Sequence, residues 1–163
     1  MAAGRVRMRC AATGLSFSCH ESGSFTGMGA TLAYTTSLGF NHACRGCALI
    51  RSGQPSKSAT DLRQALELWA KDPAPGHPNT RFERGRTLAL LAKLGGLGDD
   101  ANSGVTKDEA AAFADQAVAA LRDAFSAGWG WTNELKEPDF DAIRGRDDFK
   151  KLVAEIEAKA EKK

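Results

Sequence analysis

Two residues separate Cys44 from Cys47, the spacing of half a zinc site or of a redox dithiol. Cys10, Cys19, His20 and His42 could complete a ligand set around them. Cys10 and Cys19 lie too far apart for a tight metal knuckle. On a helix, Cys44 and Cys47 share a face with Phe40 and Ala48, and a free thiol on such a face is ordinarily core. Core packing is therefore the leading reading, with a zinc site (Cys10, Cys19, Cys44, Cys47) or a redox pair as the alternative. The third histidine, His77, stands between Gly76 and Pro78 in a connector. No histidine is spaced against a Ser, Cys or acid in a catalytic arrangement, so no catalytic residue and no cofactor are expected. Asp139, Asp141, Asp147 and Asp148 form an acidic cluster, but the Gly and Glu that a calcium loop needs are missing, and helix capping accounts for them. Arg81, Arg84 and Arg86, and then Arg144 and Arg146, are interrupted by acids and read as a solvated face. Trp129 and Trp131 suit either a core staple or a binding hot spot. The candidate partner-binding residues are Arg84, Arg86, Lys93, Trp129 and Trp131.

The elements that must position these residues are helices. The period becomes helical near Phe40 and ends at Gly53-Gln54-Pro55. A second helix is expected from about Ala59 to Lys71, capped by Ser58 with Asp61 three residues on, and it carries the stripe Leu62, Ala65, Leu66, Trp69. Asp72-Pro73 stops it. Asn79 is the expected cap of a third helix reaching about Leu94, apolar on every side from Leu88 to Ala92 and therefore buried. Thr106-Lys107-Asp108-Glu109 is a capping box for a fourth helix, which Gly128 ends. A short helical turn at 138–143 and a last helix with Phe149, Leu152, Val153 and Ile156 follow. No stretch shows convincing strand alternation.

The chain has 163 residues, 42% of them hydrophobic and 26% charged, with a net charge of +2. That is ordinary globular composition, and it argues against wholesale nucleic-acid coating. No apolar run approaches the ~20 residues of a membrane helix. Residues 1–57 hold six basic residues against one acid, Glu21, and all four cysteines. Residues 58–163 are acidic overall and rich in strong helix formers. The basic, Gly/Ser/Thr-rich segment 1–37 is expected to be a disordered tail, with Met28 an alternative start, and residues 38–161 a helical domain.

Paired helices joined by short turns suggest a repeat array. Small-large-small spacing falls at Ala117, Leu121 and Ala124. Ala65 and Trp69 begin the same pattern, which Asp72 breaks. Residues 114–124 with Ala127-Gly128-Trp129, and 135–144 with Asp148–Leu152, resemble the degenerate tetratricopeptide repeats at the C-terminal ends of large bacterial serine/threonine protein kinases and related repeat proteins. The resemblance covers about 80–158 and reaches faintly back to Phe40-Asn41-His42-Ala43-Cys44. It implies an all-α, short tetratricopeptide-like array that serves as a non-catalytic, cytoplasmic protein-interaction module, with a homodimer an option. It equally fits a detached regulatory tail of such a kinase. The kinase motifs themselves (Gly-x-Gly-x-x-Gly, Val-Ala-x-Lys, His-Arg-Asp, Asp-Phe-Gly) are absent from these residues.

Overall fold

The computed structural model describes residues 6–9, 16–19, 28–71, 77–97, 100–130 and 132–160. The fold is all-α in its packing. It comprises α1 (Met28–Arg51), α2 (Pro55–Ala70), α3 (Pro78–Gly95), the single turn α4 (Asp100–Ser103), α5 (Lys107–Ser126), α6 (Asp141–Arg144) and α7 (Asp147–Ala160). Two 3-10 helices, Thr132–Lys136 and Pro138–Phe140, lead into α6. Ahead of the helices, β1 (Val6–Arg9) pairs antiparallel with β2 (Ser16–Cys19), in the register Val6 to Cys19 and Met8 to Phe17. Each strand is four residues long, too short for its alternation of residue types to stand out in sequence.

The helices form two pairs. Helix α1 packs along α2, and α3 along α5, while α2 and α1 both touch α3 and join the pairs. Close approach within a pair depends on glycine. A Cβ on Gly46 of α1 would sit 2.7 Å from Leu62 Cδ2 of α2. A Cβ on Gly85 of α3 would sit 2.8 Å from Leu121 Cγ of α5. The two contacts are alike: in each pair a glycine on the first helix receives a leucine of the second. Leu62 stands between buried Ser58 and Ala65, as Leu121 stands between Ala117 and Ala124. The small-large-small set of α2 is thus Ser58, Leu62 and Ala65, one step earlier than the expected Ala65 and Trp69. Trp69 plays a different part. It lies against Gly39, with ring Cδ1 2.8 Å from where a Cβ would be, and donates its indole N–H to the Thr36 carbonyl at 3.3 Å.

Helix α1 begins at Met28 rather than near residue 38, and the Trp69 contacts support its stretch around Thr36 and Gly39. Gly, Ser and Thr dilute the helical signal across 28–39. The start of α2 differs too. Pro55 occupies its first turn, and Ser58 lies inside the helix, where its hydroxyl donates to the Gly46 carbonyl at 2.8 Å. A hydroxyl that bonds the facing helix has left its capping role. Helix α3 is capped by His77, whose Nδ1 accepts from the Asn79 amide at 3.3 Å; Pro78 at the first helical position displaces Asn79 from the cap. The Thr106–Glu109 capping box forms as expected, and Gly128, with φ +99°, ends α5.

The largest core joins α3, α5 and everything after them: Phe82, Leu88, Leu121, Trp129, Phe140, Ile143, Phe149, Leu152 and Ile156 are all buried. A second core between the pairs holds Leu62, Leu90, Leu91, Leu94 and Val105. Arg63 of α2 reinforces that junction, donating to the Gly104 carbonyl and to Glu109, each at 2.8 Å.

Candidate functional site

Two ionic clusters stand out, one part-buried within the first helix pair and one buried at the seam between α3 and the C-terminal segment. In the first, Asp61 of α2 is 7% exposed and receives the Arg45 guanidinium and, at 3.1 Å, His42 Nδ1, both from α1. Hydrogen bonding from Arg45 holds the Asp61 carboxyl below its ordinary range against the cost of burial. In place of the expected part in capping its own helix, Asp61 clamps α1 onto α2.

At the seam, Arg86 of α3 is 6% exposed. Its Nε and Nη2 donate to one oxygen of Asp139, in the second 3-10 helix, at 2.6 and 2.5 Å. Glu83, one helical turn before Arg86, comes within 3.7 Å of Nη1. Burial opposes the charge on Arg86, but Glu83 and Asp139 together outweigh it and keep the guanidinium protonated. Burial pushes Glu83 up to about 7, and it also raises Glu134 of the first 3-10 helix. Beside Glu83, Phe82 stacks on Trp129 with ring centroids 4.1 Å apart.

The structure disperses most of the residues singled out by type and spacing. Cys44 and Cys47 are half-buried on α1 and form no disulfide, with Cys47 packed against the core between the pairs. Burial pushes Cys47 up to about 12, so its thiol stays protonated at neutral pH. Cys10, His20 and Trp131 lie outside the described residues, and of Cys19 only the strand position is described. Among the described residues, no three His, Cys, Asp or Glu side chains converge as a metal-ligand set. Ala65, Trp69, Ala117, Leu121 and Ala124 are all buried packing residues.

Of the candidate binding residues, Arg86 and Trp129 are buried, which removes both from any surface. Lys93 is spent within the chain, donating to the Pro138 carbonyl at 2.9 Å and pairing with Asp141 at 3.4 Å. Arg84 is exposed on α3. The acidic cluster separates into ion pairs rather than caps alone. Asp139 holds Arg86, Asp141 pairs with Lys93 and Arg144, and Asp147 pairs with Lys150. Asp148 accepts from the Phe149 amide at 2.8 Å and pairs with Arg146, which also reaches Asp115. Arg144 donates to the Lys136 and Glu137 carbonyls. The arginines expected to form a solvated face mostly pin the C-terminal segment.

A shallow cleft of about 370 Å³ opens between the end of α3, the start of α5 and α6. Its walls are glycine backbone and the methyls of residues such as Ala92, Ala110, Ala114 and Ala142, with Lys107 its one ionisable group. The Glu83–Arg86–Asp139 cluster is not legible in the sequence. The Glu83/Arg86 spacing of one helical turn is visible there, but the partner on the second 3-10 helix is fixed only by the fold. No known family model, curated protein or solved structure matches this chain.

Proposed function

We propose that this chain is a non-catalytic, tetratricopeptide-like protein-interaction module. One observation carries the reading: both helix pairs repeat the same contact, a glycine on the first helix receiving a leucine flanked by small residues on the second. A repeated pair that stacks on its neighbour builds an extended surface from one face of successive helices, and such surfaces recognise peptides or helices. The ionisable clusters fit this use, because their side chains are engaged with one another and lock helices in place. Arg84, exposed on α3, is the candidate contact to an acidic partner. A kinase-linked regulatory role rests on the sequence resemblance and adds a partner class, not a different surface. For the redox alternative, burial keeps the Cys47 thiol protonated at neutral pH, where a nucleophile needs a thiolate.

The test begins with affinity capture using the full chain as bait, followed by calorimetric titration of each captured protein against purified chain. Saturable binding that Arg84→Glu weakens by at least about tenfold supports the reading. A folded, helical chain that binds none of the purified candidates saturably sinks it.

A further inference from the structure

The seam between α3 and the C-terminal segment holds more carboxylates than it has cations to neutralise them. The charged groups that act on Glu83 are Arg86 on its own helix, 3.7 Å away, Glu134 in the first 3-10 helix and Asp139 in the second, and Glu83 acts in turn on the Cys47 thiol of α1. Only Arg86 among them is a cation. Asp139 occupies two of its donors at 2.6 and 2.5 Å, whereas Glu83 stays 3.7 Å from Nη1, beyond hydrogen-bond reach. Asp139 and Arg86 are the buried ion pair that joins α3 to the second 3-10 helix, and Lys93 adds an exposed contact to the same turn through the Pro138 carbonyl.

We propose that Glu83 is a proton-controlled competitor of Asp139 for Arg86, making the attachment of residues 132–160 to α3 a pH-sensitive latch. With Glu83 protonated, the guanidinium belongs to Asp139 and the latch is closed. When Glu83 releases its proton to solvent, a second buried carboxylate draws on the same guanidinium, repels Asp139 and Glu134, and weakens the latch. Burial places this transition near neutrality, with Arg86 pulling against it and Glu134 and Asp139 adding to it. Trp129, stacked on Phe82 next to Glu83, couples the change to the core. The latch operates on the protein's own C-terminal segment, whatever partner the array binds.

Hydrogen exchange of the full chain, followed from about pH 5.5 to about pH 8.5 and corrected for the intrinsic rate of amide exchange, reads the latch directly. Protection of 132–160 relative to α1 and α2 should fall at least about tenfold as pH rises through 7. In Glu83→Gln, which mimics the protonated acid, the relative protection should stay flat. A flat wild-type profile, or the same fall in Glu83→Gln, overturns the proposal. Should Glu83→Gln fail to fold, carbon-detected titration of the wild-type glutamate carboxyls decides. A Glu83 midpoint near 7 that moves together with the Trp129 ring signals supports the latch. A midpoint near 4.5, the ordinary glutamate value, refutes it.

Discussion

At the scale of single residues, Asp61 and Glu83 titrate in opposite senses because hydrogen bonding prevails at the first and burial at the second. Asp61 has two donors for one carboxylate, and its proton affinity drops. At Glu83 burial outweighs the pull of an Arg86 guanidinium it shares with a better-placed rival, and its proton affinity rises. The consequences for stability follow by linkage. A depressed carboxyl contributes stability above its unfolded pKa and loses it as pH falls through the lower folded value. A raised carboxyl does the reverse: the folded state binds the extra proton, and stability declines as pH climbs from about 4.5 to about 7. For Glu83 the full shift corresponds to at most about 3 kcal/mol. For Asp61, removal is the cleaner probe. Asp61→Ala should cost about 2 kcal/mol at neutral pH, the scale of hydrogen bonds to a buried charged group. The difference from wild type should shrink once the wild-type carboxyl is itself protonated in acid. Denaturant melts of both chains across pH measure this, and a gap that persists unchanged into strong acid would show that side-chain packing, not charge, is what Asp61 supplies.

Elements show how much of the fold the sequence carries and where legibility stops. The capping box at Thr106, the Gly128 stop and the Gly53 turn are all readable, because each is a local pattern whose partner lies within a few residues. Helix α1 just before Phe40 is hidden, since Thr36 and Gly39 are supported by Trp69, some thirty positions along the chain. Ser58 misleads for a related reason: a serine near a helix start has two uses, and only the facing Gly46 carbonyl decides between them. The site is less legible than the fold, since the pairing of Arg86 with Asp139 spans two segments whose contact no periodicity encodes. Gly46 gives the sharpest contrast between local and tertiary rules. By propensity alone, Gly46→Ala in the middle of a helix should stabilise by about 0.5–1 kcal/mol. The 2.7 Å approach to Leu62 predicts the opposite sign, a net loss, because the facing side chain is fully buried and has little room to yield. Combining Gly46→Ala with Leu62→Ala should then cost less than the sum of the two single changes. Thermal melts of the four chains close the cycle; a stabilising Gly46→Ala would mean that α1 and α2 slide apart at no cost.

On the scale of the whole molecule, the question is whether the helix pairs are separable units. Solenoid repeats often melt from an end, because each contacts only its neighbours. Here the arrangement is less divisible. The second pair shares its largest core with residues beyond Gly130: Phe140, Ile143, Phe149, Leu152 and Ile156 pack with Phe82, Leu88 and Leu121. Leu66 of α2 touches that core, the one between the pairs and the small cluster around Trp69. Ionic ties run the same way, with Arg146 reaching Asp115 on α5 and Arg122 of α5 reaching Glu155 on α7. Exposed pairs of this kind add little by themselves, so the shared apolar core must provide the cohesion. A chain ended after Gly130 would lose Phe140, Ile143, Phe149, Leu152 and Ile156 and uncover the side chains they bury. Each such burial is worth roughly 1.5–3 kcal/mol, against a total stability of about 5–15 kcal/mol for a typical domain. In the shortened chain α3 and α5 should therefore lose their cooperative packing. In the intact chain, circular dichroism, which weighs all helices, and the fluorescence of Trp69 and Trp129, which sit in different clusters, should report one coincident transition at a pH low enough to keep Glu83 protonated. Separate transitions there would mean that the first pair stands alone and that Leu66 and Arg63 do not couple it to the rest.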